Sequence, residues 1–213
     1  MKTFVFIDYA NIKAWAREKG LSFDLEVLYA WLKNSWKSQQ IYFYYGTDKR
    51  NPKSQQFLEK IKSIGYVLRT KPVKYFRISL LNLLNQRSNR EMLKQLSPKI
   101  QKDLFQEVRE LEKKSIRLLL PKANFDVEIT LDLSLSKNQC NRVLLFSGDS
   151  DFTSIVNYLR INKKEVVVVS GRKYLSGDLI SVATRFITLE RLGETIKGLL
   201  KKARPAFAGL EEK

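Results

Sequence analysis

The sequence predicts an α/β domain: a mainly parallel sheet flanked by helices, with a basic helical segment inserted into it. Three observations point there. Apolar runs of strand length recur along the chain, most of them apolar on both faces, as in strands buried between helix layers. Stretches with helical apolar spacing lie between them. The rhythm breaks only over residues 74–120.

The first strand is "TFVFI" at 3–7, followed at once by Asp8. Leu25, Leu28, Leu32 and Trp36 then keep helical spacing. "IYFYY" at 41–45 is the second strand. Phe57, Ile61 and Ile64 mark a helix that stops at Gly65, and "YVLR" at 66–69 is a third strand. In the inserted segment, Ser97–Pro98 reads as a helix start, and Ile100, Leu104, Val108 and Leu111 share one face. This segment is expected to be a helical hairpin or cap. Residues 74–117 carry eleven Lys/Arg against five Asp/Glu, a net of +6. A solvated amphipathic helix pair would account for those charges equally well.

Residues 126–135 are ambiguous. Val127, Ile129, Leu131, Leu133 and Leu135 alternate with polar residues, as in a strand. A helix, however, is needed to cross between parallel strands before Arg142. We choose the helix, capped by Asn124 or Asp126, with Val127, Leu131 and Leu135 as its buried stripe. "VLLF" at 143–146 is the next strand, and Phe152, Ile155, Val156 and Leu159 form a helix stripe after it. "EVVVV" at 165–169 is the last clear strand. A single domain is expected over 1–203, with a frayed tail at 204–213.

Composition narrows the function. The net charge is +17, which points to a polyanionic partner, nucleic acid before anionic membrane; a basic surface also serves solubility alone. The lone Cys140 excludes an internal disulfide and a cysteine-based zinc site. With no histidine, Ser-His-Asp and Cys-His chemistry and His-ligated metals are excluded. An enzyme of this composition works with carboxylates, Lys, Tyr or metal-bound water. The five-residue apolar run before Asp8 is too short for a signal peptide, and no run approaches a membrane span. A cytoplasmic location without membrane partners is expected.

Ligands bind outside the carboxyl ends of strands in an open parallel sheet. Asp8 and Asn11 follow the first strand. Ser147, Gly148, Asp149 and Asp151 follow "VLLF". Asp126, at the start of its helix, would face the same edge. Unpaired carboxylates held close repel one another, and a hard divalent cation relieves this. "SGDSDF" is also a plausible strand–turn–helix junction with Asp151 as cap, and Asp8 alone a turn residue. Together at one edge, the acids favour a Mg²⁺ or Mn²⁺ site. Asp132 and Glu128 are read as solvated helix residues, and Asp178 as a cap.

"FVFIDYANI", "KANFDVEITLD" and "VLLFSGDSDFTSIVNYLRINKKEVVVV" resemble the three blocks of an NYN domain, the PIN-like group that includes the LabA-type proteins. "YLSGDLISVATRFITLERL" is similar to its closing helix, strand and helix. The resemblance covers about residues 2–73 and 121–193. It implies a Rossmann-like, PIN-like sheet and a Mg²⁺- or Mn²⁺-dependent nuclease site acting mainly on RNA. It assigns the acidic roles to Asp8, Asp126, Asp149 and Asp151, and a supporting polar role to Asn11. Tyr9 stands where such motifs often have Gly, "KANFD" is longer than the usual Lys-Gly-Val-Asp spacer, and the 74–120 insertion is long.

The leading expectation is an endoribonuclease, with single-stranded DNA as a further substrate. Lys122, Arg172 and Lys173 are candidate phosphate contacts, and Tyr9, Tyr45 or Tyr75 candidate base-stacking residues, with a core role favoured for Tyr45. The rivals are a non-catalytic RNA- or DNA-binding module, which gains nothing from four acids aimed at phosphate, and a metal-dependent phosphatase or nucleotidase, which does not need so basic a footprint. The apolar face of the insertion is free to pack on its own domain or on a second copy in a homodimer.

Overall fold

The structure, a computed structural model, describes residues 1–202; the expected frayed tail at 204–213 lies outside the described residues. The chain runs β1 (Thr3–Asp8), α1 (Tyr9–Glu18), β2 (Leu21–Phe23), α2 (Leu25–Ser35), β3 (Ser38–Thr47), α3 (Pro52–Ile64) and β4 (Val67–Pro72). Then come β5 (Lys74–Ile78), α4 (Leu80–Asn85), α5 (Arg87–Leu93), α6 (Pro98–Lys113) and β6 (Leu118–Lys122). The chain closes with α7 (Asp126–Ser136), β7 (Arg142–Phe146), α8 (Thr153–Ile161), β8 (Glu165–Ser170), α9 (Gly177–Val182), β9 (Arg185–Thr188), α10 (Leu189–Thr195) and β10 (Leu200–Lys202).

Two compact units divide these elements: residues 1–71 with 124 onward, and residues 72–123. Among the described residues, the first unit holds a six-stranded sheet in the order β4-β3-β1-β7-β8-β9. β1 runs parallel to both β3 and β7, and β7, β8 and β9 continue in parallel. From β1 the chain winds outward to β3 and β4, then returns to β7 on the opposite side of β1. The gap between the carboxyl ends of β1 and β7 is therefore where the winding reverses, the place where open parallel sheets bind ligands.

The central strands β1, β7 and β8 are almost wholly apolar and buried because helices cover both faces. Val5, Ile7, Leu144, Phe146, Val167 and Val169 pack in one cluster with Ile12, Trp15, Leu28, Leu32, Ile61 and Leu189 from α1, α2, α3 and α10. Their neighbours along the strands, Phe6, Val143, Leu145, Val166 and Val168, point the other way and are equally buried. On that side α7 packs on β1 and α8 on β8. The expected stops and caps appear: Gly65 ends α3 at φ 111°, a left-handed conformation that suits glycine, and Ser97 caps α6.

The helix expected at 126–135 forms, but with the opposite face inward. Ile129 and Leu133 are buried, while Val127, Leu131 and Leu135 are 77%, 57% and 63% exposed. Glu128 and Asp132 are not simply solvated. Arg69 Nε and Tyr44 Oη each donate to Asp132 at 2.8 Å, and Lys71 Nζ donates to Glu128 at 2.7 Å. These bonds tie α7 to β3 and β4 and set its rotation, so the Ile129–Leu133 face lies on the sheet.

The second unit is more than a helical hairpin. β5 and β6 pair antiparallel, Lys74 with Lys122 and Ile78 with Leu118, and the three helices lie between them in the chain. The α6 face named from sequence is buried only at Val108; Ile100 is 53% exposed.

Candidate active site

Strand register builds the site. Ile7 pairs with Phe146, so Asp8 and Ser147, the next residues on adjacent strands, come together. Ser147 is fully buried, and its Oγ donates to Asp8 Oδ2 at 3.4 Å. The same hydroxyl accepts the Asp149 N–H at 3.4 Å. Asp149 Oδ1 accepts the Asp151 N–H at 3.0 Å and so caps the short 3-10 turn Ser150–Phe152 that leads into α8. Asp149, rather than Asp151, is thus the capping acid of this junction. Asp126 opens α7, its N–H held by Asn124 Oδ1 at 2.7 Å.

Among the described residues, Asp126, Asp149 and Asp151 each offer a carboxylate oxygen, and the three oxygens lie within 4.8 Å of one another. Asp8 stands beside this trio, bonded to Ser147 and close enough to Asp126 to feel its charge. It keeps partial exposure, yet protein surrounds most of it. Desolvation by burial pushes its carboxyl up to about 6, and the Asp126 charge adds to this. Hydrogen bonds from the Asn11 N–H and Ser147 Oγ pull the other way without cancelling it.

An open cavity of about 370 Å³ adjoins Asp149, with Asn11, Ser150, Lys173, Tyr174 and Ser176 in its wall. Ser170, fully buried, donates to Asn11 Oδ1 at 3.3 Å and fixes that amide. Gly148 is required here by space. A methyl group on it would collide with the Tyr174 carbonyl and the Ser170 hydroxyl.

The expected nucleic-acid contacts fare differently. Tyr9 is spent on the protein: its ring packs on Phe43, Tyr45 and Phe57, with centroids 4.9, 5.9 and 5.3 Å away. Burial also raises its phenol to about 12. It packs against the aromatic cluster beside β1 and stays half-buried. Lys173 is exposed beside the cavity but paired with Glu18 at 2.8 Å. The Arg172 backbone N–H donates to Glu190 at 3.3 Å, and its side chain is exposed. Lys122 belongs to the 72–123 unit, where it pairs with Lys74 across the ribbon. Asp178 lies in the first turn of α9, whose cap is Ser176.

Ser147 was named from sequence at its strand end but given no role, and Ser170 was not named. The signal existed: each directly follows a buried apolar strand, "VLLFS" and "VVVVS", just as Asp8 follows "TFVFI". The strand-end rule that selected Asp8 selects them too.

The donor set fits a divalent cation. Three carboxylates converge in a chain without histidine and with its only cysteine, Cys140, buried elsewhere. Hard oxygen ligands with partial solvent access suit Mg²⁺ or Mn²⁺.

Known proteins resemble this chain over most of its length. The model of the NYN domain family matches residues 2–190. The low amplitude and bright protein LabA of Synechococcus elongatus is 26% identical over 202 residues, covering 94% of this chain and 89% of the relative. The crystal structure of VPA0982, a protein of unknown function from Vibrio parahaemolyticus, superposes with a TM-score of 0.61 at 20% identity, over 88% of this chain and 92% of the other. That likeness shows the fold. No helix among the described residues is long and apolar enough to cross a membrane.

Proposed function

The chain belongs to the NYN domain family, and on that premise we propose that it is a metal-dependent ribonuclease, cutting RNA internally at the carboxyl edge of β1 and β7. The observation that carries this reading is the convergence of three carboxylates within 4.8 Å in a chain of net charge +17. A basic protein recruits the phosphate backbone through counterion release; acids within such a surface serve chemistry on it.

Asp126, Asp149 and Asp151, with Asp8 alongside, would hold Mg²⁺ or Mn²⁺. Such an ion supplies charge stabilisation at the phosphoryl group and eases deprotonation of a nearby water. The chain supplies the rest. Asp8, beside the trio and held by Ser147, is placed to position or deprotonate the attacking water. Ser147 holds Asp8 and the Asp149 loop in register. Ser170 fixes Asn11 Oδ1, leaving Asn11 Nδ2 to donate to a phosphate oxygen. The exposed Arg172 and Lys173 are backbone contacts in this reading.

The test is cleavage of labelled single-stranded RNA, and of the matching DNA, with Mn²⁺, Mg²⁺ or EDTA, comparing wild type with Asp149→Asn. Metal-dependent cutting of RNA that drops on the order of a thousandfold in the variant supports the proposal. Salt-sensitive binding without cutting under any metal, equal in both proteins, replaces it with a binding module.

A further inference from the structure

The helix α7 is apolar on two faces. Ile129 and Leu133 are buried under it, while Val127, Leu131 and Leu135, at four-residue spacing, form an outer stripe more than half exposed. α8 packs beside α7 and extends the patch with Tyr158, 40% exposed, and Ile161, 72% exposed. An open cavity of about 610 Å³ lies between the two helices, walled largely by apolar side chains including Val127, Leu131 and Ile155. Single exposed apolar residues are ordinary, but a contiguous patch of them on neighbouring helices marks an interaction surface.

Charge selects the occupant. The chain is +17, so two copies repel over most approaches. Val127, Leu131, Leu135, Tyr158 and Ile161 carry no charge, and a cation, Lys137, closes the C-terminal end of the face over the Tyr158 ring, its Nζ donating to Tyr158 Oη at 2.8 Å. The two ends of the face have opposite sign. α7 starts at Asp126 and α8 follows Asp151, while Lys137 and Lys163 lie just beyond the helix C-termini. A two-fold axis near Leu131, midway along α7, sets the two copies of the helix antiparallel. The basic end of each copy then meets the acidic end of the other, as an isologous interface requires. Nucleic acid fits this stripe poorly, because no Lys or Arg lies between Val127 and Leu135 to meet phosphates.

We infer that the outer face of α7 and α8 is a homodimer interface, with a second copy of this chain docked antiparallel across Leu131. The acidic end of this face includes Asp126 and Asp151, which the proposed function assigns to the cation, so docking and cation binding draw on the same carboxylates.

Sedimentation equilibrium of the full chain at tens of micromolar tests it. The wild type is expected at twice the 24.9 kDa chain mass, and Leu131→Asp at the single mass. Leu131 is exposed in one copy, so the substitution leaves the fold intact, and an unchanged circular-dichroism spectrum of the dissociated chain verifies this. Leu131→Cys gives a second readout. Because Cys140 is buried, a short bis-maleimide should join two copies through position 131 in near-quantitative yield. A wild type that stays at the single mass to 100 µM overturns the inference, as does a dimer that survives Leu131→Asp. A monomeric wild type whose RNA binding falls in Leu131→Asp overturns it too and assigns the face to nucleic acid.

Discussion

Asp8 at the end of β1 and Asp149 just past the end of β7 do the same local job in different surroundings. Each caps the helical turn that follows by accepting a backbone N–H: Asn11 N–H for Asp8, Asp151 N–H for Asp149. β1 is flanked by β3 and β7, so its end is enclosed and Asp8 is desolvated. The chain after β7 runs two further residues, Ser147 and Gly148, before Asp149, which reaches the open cavity and the carboxylate trio. One acid is thus tuned by burial, while its partner joins the converging carboxylates. Two strand ends of one sheet supply both because Ser147 links them.

Cutting that link is the sharpest way to break the comparison. Ser147→Ala removes the hydroxyl that both holds Asp8 and receives the Asp149 N–H. We expect divalent-cation affinity, read by calorimetric titration, to fall about 10–100-fold, as for removal of a residue that orients ligands. An affinity within twofold of wild type would mean that the two strand ends act separately.

Asp8→Asn probes the buried side. The carboxyl titrates near 6 in the fold against an ordinary value of 3.8, so between those values the native state holds more protons than the unfolded chain. Stability contributed by the neutral form is full below about pH 4 and lost as pH rises through 6. Without cation, Asp8→Asn should therefore match wild type near pH 4 and exceed it by about 1–3 kcal/mol at pH 7.5, measured by urea unfolding. Cleavage should be lost in the same variant. A variant less stable than wild type at pH 7.5 would show that the charge is already compensated.

Tyr44→Phe gives the smallest effect. It removes one of the two groups bonded to Asp132 and leaves Arg69 in place. Stability should drop by about 1 kcal/mol in the same unfolding assay, because α7, which carries Asp126, loses one anchor.

The comparison also explains what was legible in the sequence. Strand ends are marked locally, by an apolar run followed by a polar residue, so Asp8, Asp149 and Asp151 could be read and the β1–β7 edge inferred. The rotation of α7 could not. Val127, Leu131 and Leu135 have the same spacing as Ile129 and Leu133, so periodicity offers two equal stripes. The choice rests on Arg69 and Lys71, about 60 residues away, meeting Asp132 and Glu128. The ribbon of β5 and β6 was hidden for a similar reason, since its two strands pair across the three intervening helices. The packing of Tyr9 was not legible either, because a residue beside an acid looks fully available until its neighbours Phe43 and Phe57 are placed around it.

The most direct test of the central claim is the thermal stability of the full chain with and without millimolar Mn²⁺ at pH 7.5, in wild type and Asp149→Asn. A cation held by Asp126, Asp149 and Asp151 should raise the wild-type Tm by several degrees, equivalent to about 2–3 kcal/mol at a hundredfold excess over Kd, and leave the variant unmoved. Equal shifts in both proteins, or none in either, would contradict a cation site at these carboxylates.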